Sequence, residues 1–256
     1  LLLNEPDLAR RFGAEARAIA ELEHPNVVSV HFFGEDQGCH FFAMDFISGE
    51  SLAERLKRES HLPLKATLRI IEQCLAGLEA AHEHGLVHRD IKPGNILLEA
   101  PGERVVLVDF GLVRRIDNSL QVTVTGMVMG TVDYIAPEQA RGRPVDARAD
   151  LYSLGVVFYR LLAGRLPFTA ETPTAMLFQH AYEQPFPLAE AVPELPQPIV
   201  AVVERLMAKD PAERYQSCAA VLMDLQAFRA GRPLSAPESQ WSSSKVLALP
   251  AVRGAC

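Results

Sequence analysis

The sequence predicts an α+β fold, because short strand-like runs near its beginning give way to a mostly helical remainder. Apolar residues recur at a spacing near 3.6 in residues 7–22 and on one face of residues 64–84, which indicates helices, while short runs rich in Val and Phe indicate strands. The 256 residues include 48% hydrophobic and 22% charged side chains, an ordinary composition for a globular chain with a sizeable core. The chain has no internal repeat, so the prediction depends on the order of its elements.

The first part of the chain combines one helix with a hairpin. Residues 7–22 are predicted to form a helix, which His24, Pro25 and Asn26 end. Residues 27–33 and 40–46 are then expected to pair as strands, with residues 34–38 as their turn. The hairpin is thus the first candidate sheet.

The remaining elements are predicted from apolar period and turn residues. Two short strands are expected at 96–98 and 105–108, and a long loop at 112–134, where no period is visible. The predicted helices cover 51–58, 64–84, 149–162, 174–182, 198–208 and 218–228. Residues 149–162 are apolar nearly all round, which predicts a buried helix, and the Ser- and Pro-rich residues 231–256 are expected to form a tail or linker.

Charge and cysteine usage exclude several classes of protein. A net charge of −7 argues against a general nucleic-acid binder, and no apolar run approaches the 18 residues of a membrane span. The four cysteines show no pairwise spacing, so neither a disulfide framework nor a zinc site is expected, and a reducing cytoplasm fits best. His82, His84 and His88 also lack zinc-ligand spacing.

Three polar blocks carry the chemistry of this sequence. Residues 87–95 read VHRDIKPGN, the triplet Asp109-Phe110-Gly111 follows Asp90 by 19 positions, and residues 130–138 read GTVDYIAPE. In this order and spacing they resemble the catalytic loop, the metal-binding triplet and the APE segment of eukaryotic-type (Hanks-type) bacterial serine/threonine protein kinases. The resemblance covers roughly residues 1–230.

This resemblance implies a bilobal fold with a β-rich small lobe and a mostly helical large lobe. The small lobe would be partial and cover residues 1–47, the large lobe would cover 48–230, and the tail would follow at 231–256. ATP and Mg²⁺ would bind in the cleft between the lobes, and the γ-phosphoryl group would pass to Ser or Thr of a protein substrate.

The resemblance assigns roles to residues of the catalytic loop and the triplet. Asp90 would accept the proton of the substrate hydroxyl, and Lys92 would contact the transferring phosphoryl group as a cation. Asn95 and Asp109 would supply hard oxygen ligands to Mg²⁺. The alternative, that Asp90 and Asn95 are turn residues around Pro93 and Gly94, would make the other two blocks coincidental.

The nucleotide site is expected to use residues that precede and follow the catalytic loop. Glu15 would pair with the lysine that holds the ATP phosphates, although a solvated helix face would look the same. Met44 would lie at the back wall of the adenine pocket, the backbone of Asp45 and Ile47 would bond the adenine edge, and Leu97 would close the pocket from below.

The long loop and its flanks are expected to regulate the enzyme. Phosphate on Thr123 or Thr125 would pair with Arg89, although both threonines could be ordinary loop residues. Thr131 would shape the substrate site. A kinase–kinase dimer could carry out autophosphorylation.

Two buried polar contacts are also implied by the family. His88 and Phe110 would stack in an apolar column with Ile19 and Val30, anchored by Asp150, which could otherwise be a simple helix N-cap. Glu138 would form a buried ion pair with Arg214.

The family's glycine-rich phosphate loop and the lysine of its third strand do not occur in this sequence. We therefore expect that roughly 40–50 residues of a complete small lobe precede Leu1, and that residues 1–256 alone catalyse poorly. The alternative is an inactive kinase-like module that acts by binding other proteins. The full protein could also continue beyond Cys256 to a membrane tether.

Overall fold

The computed structural model describes residues 22–36, 39–102, 104–110 and 132–235. Within these ranges, small antiparallel sheets accompany a predominantly helical body, so the predicted α+β class is confirmed. The helix predicted at 7–22 lies outside the described residues except for Leu22, and the loop predicted at 112–134 does so except for residues 132–134. Of the predicted tail, residues 231–235 are described.

The predicted hairpin is present as strands β1 (Val30–Asp36) and β2 (Cys39–Met44). Its turn is shorter than predicted, because Asp36 already pairs with Cys39. Residues 27–29 also lie outside β1. The reason is that the backbone of Val27 and Val28 pairs with a second sheet, where the N–H of Val28 donates to the carbonyl oxygen of Leu107 at 3.0 Å.

The second sheet has the order β3 (Gly49–Ser51), β4 (Ile96–Glu99) and β5 (Arg104–Leu107), with antiparallel neighbours. Strands β4 and β5 confirm the two predicted runs within one residue at each end. Strand β3 was not predicted. Gly49 permits it, since a Cβ atom there would lie 2.0 Å from the carbonyl oxygen of Leu98.

The helices of the described part confirm all six predicted beyond residue 50, with ends displaced by at most two residues. They are α1 (Leu52–Arg58), α2 (Leu64–Glu83), α3 (Pro137–Ala140), α4 (Arg148–Ala163), α5 (Pro173–Tyr182), α6 (Leu188–Ala191), α7 (Gln197–Leu206) and α8 (Cys218–Arg229). Helices α3 and α6 were not predicted, because four residues are too few to show an apolar period.

Helix α4 forms the centre of the core, as its apolar sequence predicts. It packs against α2 and α7, and Gly155 allows close approach to α7, where an added Cβ would lie 2.8 Å from the Cβ of Leu206. Asp150 is the exception on this helix, because it is a carboxylate with no solvent exposure. A buried carboxylate requires hydrogen-bond donors, and these come from the candidate site.

Within the described ranges, no helix is long and apolar enough to cross a membrane. The same part of the chain contains no group of three or more His, Cys, Asp or Glu residues arranged to hold a metal ion. Cys74 and Cys218 are buried free thiols.

Candidate active site

The loop between helix α2 and strand β4 gathers the predicted catalytic residues around one carboxylate. The Oδ2 atom of Asp90 accepts a hydrogen bond from Lys92 Nζ at 2.7 Å and another from Asn95 Nδ2 at 3.0 Å. All three side chains come from six consecutive residues. The loop therefore presents a carboxylate and an ammonium group side by side.

Asn95 is oriented by hydrogen bonds that use its amide nitrogen. Its Nδ2 atom donates to the carbonyl oxygen of Asp90 at 2.9 Å and to the Asp90 carboxylate, and both of these groups can only accept. The Oδ1 atom, on the other arm of the amide, is consequently turned away from Asp90. The Asn95 carbonyl oxygen accepts from the N–H of Val108 at 3.1 Å, which holds Asn95 beside the chain that leads into Asp109.

Asp109 follows strand β5 in an unusual backbone conformation. Its φ angle is +58°, and that of Arg89 is +64°. Among the described residues these are the non-glycine positions with positive φ, a conformation that costs energy and clusters at functional sites. The Asp109 side chain is exposed at the end of the strand.

Asp150 fixes the backbone of the catalytic loop, as the sequence predicted. Its Oδ1 atom accepts the N–H of Arg89 at 2.7 Å, and its Oδ2 atom accepts the N–H of His88 at 2.8 Å. The alternative of an N-cap is wrong, because Asp150 lies within the first turn of α4, which begins at Arg148 after Ala147. The third donor, His82 Nε2 at 2.8 Å, was not predicted.

His88 joins the loop to the triplet from inside the core. Its Nε2 atom lies 3.0 Å from the carbonyl oxygen of Val108 and must donate to it, while Nδ1 accepts the N–H of Asp90 at 3.3 Å. Burial lowers the pKa of His88 and keeps the ring neutral, as these bonds require. The ring lies 4.5 Å from that of Phe110, so this part of the predicted column is present. Ile19 lies outside the described residues.

Comparison with known proteins agrees with this arrangement. Residues 4–225 match the protein kinase domain family. The chain belongs to the protein kinase family. Members of this family generally use ATP and Mg²⁺.

Similar kinases are found among bacteria. The chain is 42% identical over 234 residues to the serine/threonine-protein kinase PknA of Mycobacterium tuberculosis, covering 90% of this chain and 53% of PknA. It is 37% identical over 242 residues to PknB of the same organism, covering 93% of this chain and 38% of PknB. The chain thus spans about half, or less, of the length of these relatives.

A solved structure confirms the kinase-like fold. A double-mutant form of the PknI kinase domain of M. tuberculosis superimposes with a TM-score of 0.70 at 28% sequence identity, covering 90% of this chain and 81% of that one. The expected bilobal class therefore has a structural counterpart.

Two of the predicted adenine-binding residues lie against a small apolar cluster beside the second sheet. Ile47 and Leu97 pack against a small core of Val28, Val106 and Val108. Met44 is 45% exposed. These positions bring the chain after the hairpin next to strand β4.

Asp45 has a fixed backbone at the same place. Its N–H donates to the carbonyl oxygen of Ser29 at 3.0 Å, and its carboxylate lies 2.6 Å from His31 Nε2. The backbone group of Asp45 that could address an adenine edge is therefore its carbonyl oxygen. Other predicted site residues, Glu15, Thr123, Thr125 and Thr131, lie outside the described residues.

The predicted pair of Glu138 and Arg214 is formed in the core of the kinase. Arg214 Nη1 and Nη2 each donate to one oxygen of Glu138 at 2.7 Å. The remaining donors bond backbone oxygens, with Nε to Ala208 at 2.8 Å and Nη1 to Arg148 at 2.9 Å. This arrangement attaches helix α3 to the segment that precedes helix α8.

Proposed function

We propose that this chain is the catalytic part of a serine/threonine protein kinase, which transfers the γ-phosphoryl group of ATP to a Ser or Thr hydroxyl of protein substrates. The observation that supports this most directly is the Asp90 carboxylate, held at 2.7 Å from Lys92 and 3.0 Å from Asn95. The serine/threonine class is that of the named relatives.

Phosphoryl transfer requires positioning and neutralisation of charge more than covalent help. Asp90 would orient the acceptor hydroxyl and take its proton. Lys92 would place a positive charge next to that hydroxyl, where the oxygens of the transferring group arrive. The 2.7 Å ion pair between Asp90 and Lys92 keeps both groups close enough to act on the same phosphoryl transfer.

Asn95 and Asp109 fit the requirements of a magnesium site. Mg²⁺ prefers hard oxygen ligands, and these residues offer the amide oxygen turned away from Asp90 and an exposed carboxylate. The bond between Val108 and Asn95 brings the two positions together. When bound, Mg²⁺ would neutralise phosphate charge; the protein supplies the orientation of both ligands.

The nucleotide base would lie against Ile47 and Leu97, next to Met44, with the Asp45 carbonyl oxygen accepting from the adenine edge. Two observations support this placement. Ile47 and Leu97 pack against an apolar cluster, and the N–H of Asp45 already donates to Ser29, which leaves the Asp45 carbonyl oxygen as the group to face the base. Glu15 would pair with the lysine that holds the phosphates. The division between the lobes would fall between residues 47 and 48.

Regulation would act through Arg89. Its backbone is held on both sides, by Asp150 at the N–H and by Gln139 Nε2 at the carbonyl oxygen, 3.0 Å away. Burial lowers the pKa of its guanidinium group, and an anion would compensate this desolvation. Phosphate on Thr123 or Thr125 would provide that anion after autophosphorylation between two kinase molecules, and Thr131 would contact the substrate.

An inactive kinase-like module gains no support from the site, because Asp90, Lys92, Asn95 and Asp109 are all retained. The test uses the product of the complete gene, incubated with Mg-ATP and peptides that carry Ser, Thr or Tyr as the sole acceptor. We expect phosphoserine and phosphothreonine, and their loss in Asp90→Asn but not in the exposed control Asp146→Asn. Absence of transfer, or transfer to Tyr alone, would contradict the proposal.

A further inference from the structure

A buried histidine joins helix α5 to the segment that precedes α3. His180 has no solvent exposure. Its Nε2 atom lies 3.0 Å from the carbonyl oxygen of Asp133, and its Nδ1 atom lies 3.0 Å from the hydroxyl of Tyr152 on the central helix. The ring therefore bridges two elements that are distant in sequence.

The hydrogen-bond partners of His180 determine which of its ring nitrogens carries the proton. A carbonyl oxygen can only accept, so Nε2 of His180 carries the hydrogen and Nδ1 accepts from the Tyr152 hydroxyl. The same hydroxyl accepts from Lys209 Nζ at 3.4 Å. Burial and the nearby Lys209 lower the pKa of His180 to about 3, so the ring stays neutral around neutral pH. The hydrogen bonds run in one direction, from Lys209 to Asp133.

Two basic side chains, those of Lys209 and Arg141, hold the end of helix α5 and with it His180, and burial lowers the pKa of Lys209 to about 7. Lys209 Nζ donates to the carbonyl oxygens of His180 at 2.8 Å and Gln179 at 3.3 Å. The guanidinium group of Arg141 donates to the carbonyl oxygen of Ala181. These carbonyls belong to the last turn of α5, the end of the helix that attracts positive charge, and that of Gln179 also accepts the N–H of Glu183 at 3.0 Å.

The carbonyl oxygen of Asp133 belongs to a tight turn. The N–H of Ile135 donates to the carbonyl oxygen of Val132 at 3.3 Å, and Asp133 lies inside this turn, two positions after Thr131. We propose that His180 is a positioning residue for the protein substrate: it holds the turn of residues 132–135 in the one orientation in which this turn meets the substrate. This inference rests on the proposed kinase function.

Two substitutions separate the two bonds of His180. In His180→Gln the side-chain amide reaches the place of Nε2 and can still donate to Asp133. In His180→Asn it reaches only the place of Nδ1, where it can serve Tyr152 and leaves the Asp133 carbonyl without its donor. The exposed His61→Asn is the matched control.

Loss of the donor should raise the KM for a peptide substrate about tenfold, since a buried group left unpaired costs about that factor in an equilibrium. We expect this rise in His180→Asn, a KM for ATP within about twofold of the wild type, and near-normal values in His180→Gln and His61→Asn. Equal peptide KM values in the Asn and Gln variants, or parallel changes for ATP and peptide, would overturn the proposal.

Hydrogen exchange provides a readout that does not depend on activity. The Ile135 amide should exchange faster in His180→Asn than in the wild type and His180→Gln, at equal global stability. Unchanged protection in His180→Asn would overturn the positioning role even if the protein proves to be an active kinase. If no preparation transfers phosphate but the exchange differs as expected, the turn contact stands, the proposed function fails and with it the substrate role.

Discussion

Removing Arg214 tests whether the buried ion pair stabilises the large lobe. In Arg214→Met the Glu138 carboxylate loses both of its 2.7 Å bonds and stays in a place where the residue is only 5% exposed. Three backbone oxygens, those of Ala208, Arg148 and Lys209, each lose a hydrogen bond as well. Breaking a buried pair from one side costs about 3–5 kcal/mol.

The effect is measurable by urea denaturation followed by far-UV circular dichroism. With an m value of about 3 kcal/mol/M, the expected loss lowers the midpoint by about 1–1.7 M. Arg229→Met is the matched control, because Arg229 pairs with Glu72 at 2.9 Å while its side chain is 47% exposed. Exposed pairs contribute about 0–1 kcal/mol, so the control should move the midpoint by less than about 0.3 M.

The double variant Glu138→Gln/Arg214→Met adds a second criterion. Once the charge of residue 138 is gone, removing Arg214 should cost less than in the wild-type background, so that the two effects are not additive. If Arg214→Met destabilises no more than Arg229→Met, or if the two substitutions add, the pair does not have the energetic role that its burial implies.

Three further predictions concern chemistry, regulation and pH. Asp109→Asn should weaken Mg²⁺-dependent ATP binding, whereas Asp90→Asn should spare binding and remove most transfer; equal loss of nucleotide affinity in a calorimetric titration would contradict these roles. Mass spectrometry after incubation with Mg-ATP should find phosphate on Thr123 and Thr125, and changing both to Ala should lower activity more than ATP binding; phosphate found only in the serine-rich tail would refute the loop switch. The lowered pKa of His180, about 3, means that below pH 6.5 the unfolded state binds a proton which the folded state does not. The free energy of unfolding should therefore fall on acidification from pH 6.5, by up to about 1.4 kcal/mol per pH unit for this group. Urea titrations between pH 6.5 and 5 should show a smaller dependence of this free energy on pH in His180→Gln than in the wild type. The same dependence in both proteins would refute the prediction.

The sequence predicted most element types because those signals are local. The 3.6-residue period of α2, the nearly continuous apolar sequence of α4 and the Val- and Phe-rich strands are visible within windows of about 15 residues. The sequence-based predictions fail where an element is too short to show an apolar period, as in α3 and α6. They also fail where pairing with a distant segment determines the bounds of a strand. Val27 and Val28 have strand composition, but their backbone pairs with Leu107 and not with the hairpin.

The cluster of Asp90, Lys92 and Asn95 could be expected from the sequence alone, since six consecutive residues cannot lie far apart. The long-range hydrogen bonds that support the loop could not be predicted in this way. His82 reaches Asp150 across 68 positions, and His180 reaches Asp133 across 47. Neither contact has a periodic or spacing signal, because a hydrogen bond between distant segments exists only once both are packed. The packing of helix α4 against its neighbours thus decided which histidines bond Asp150, the anchor of the catalytic loop, and the turn of residues 132–135.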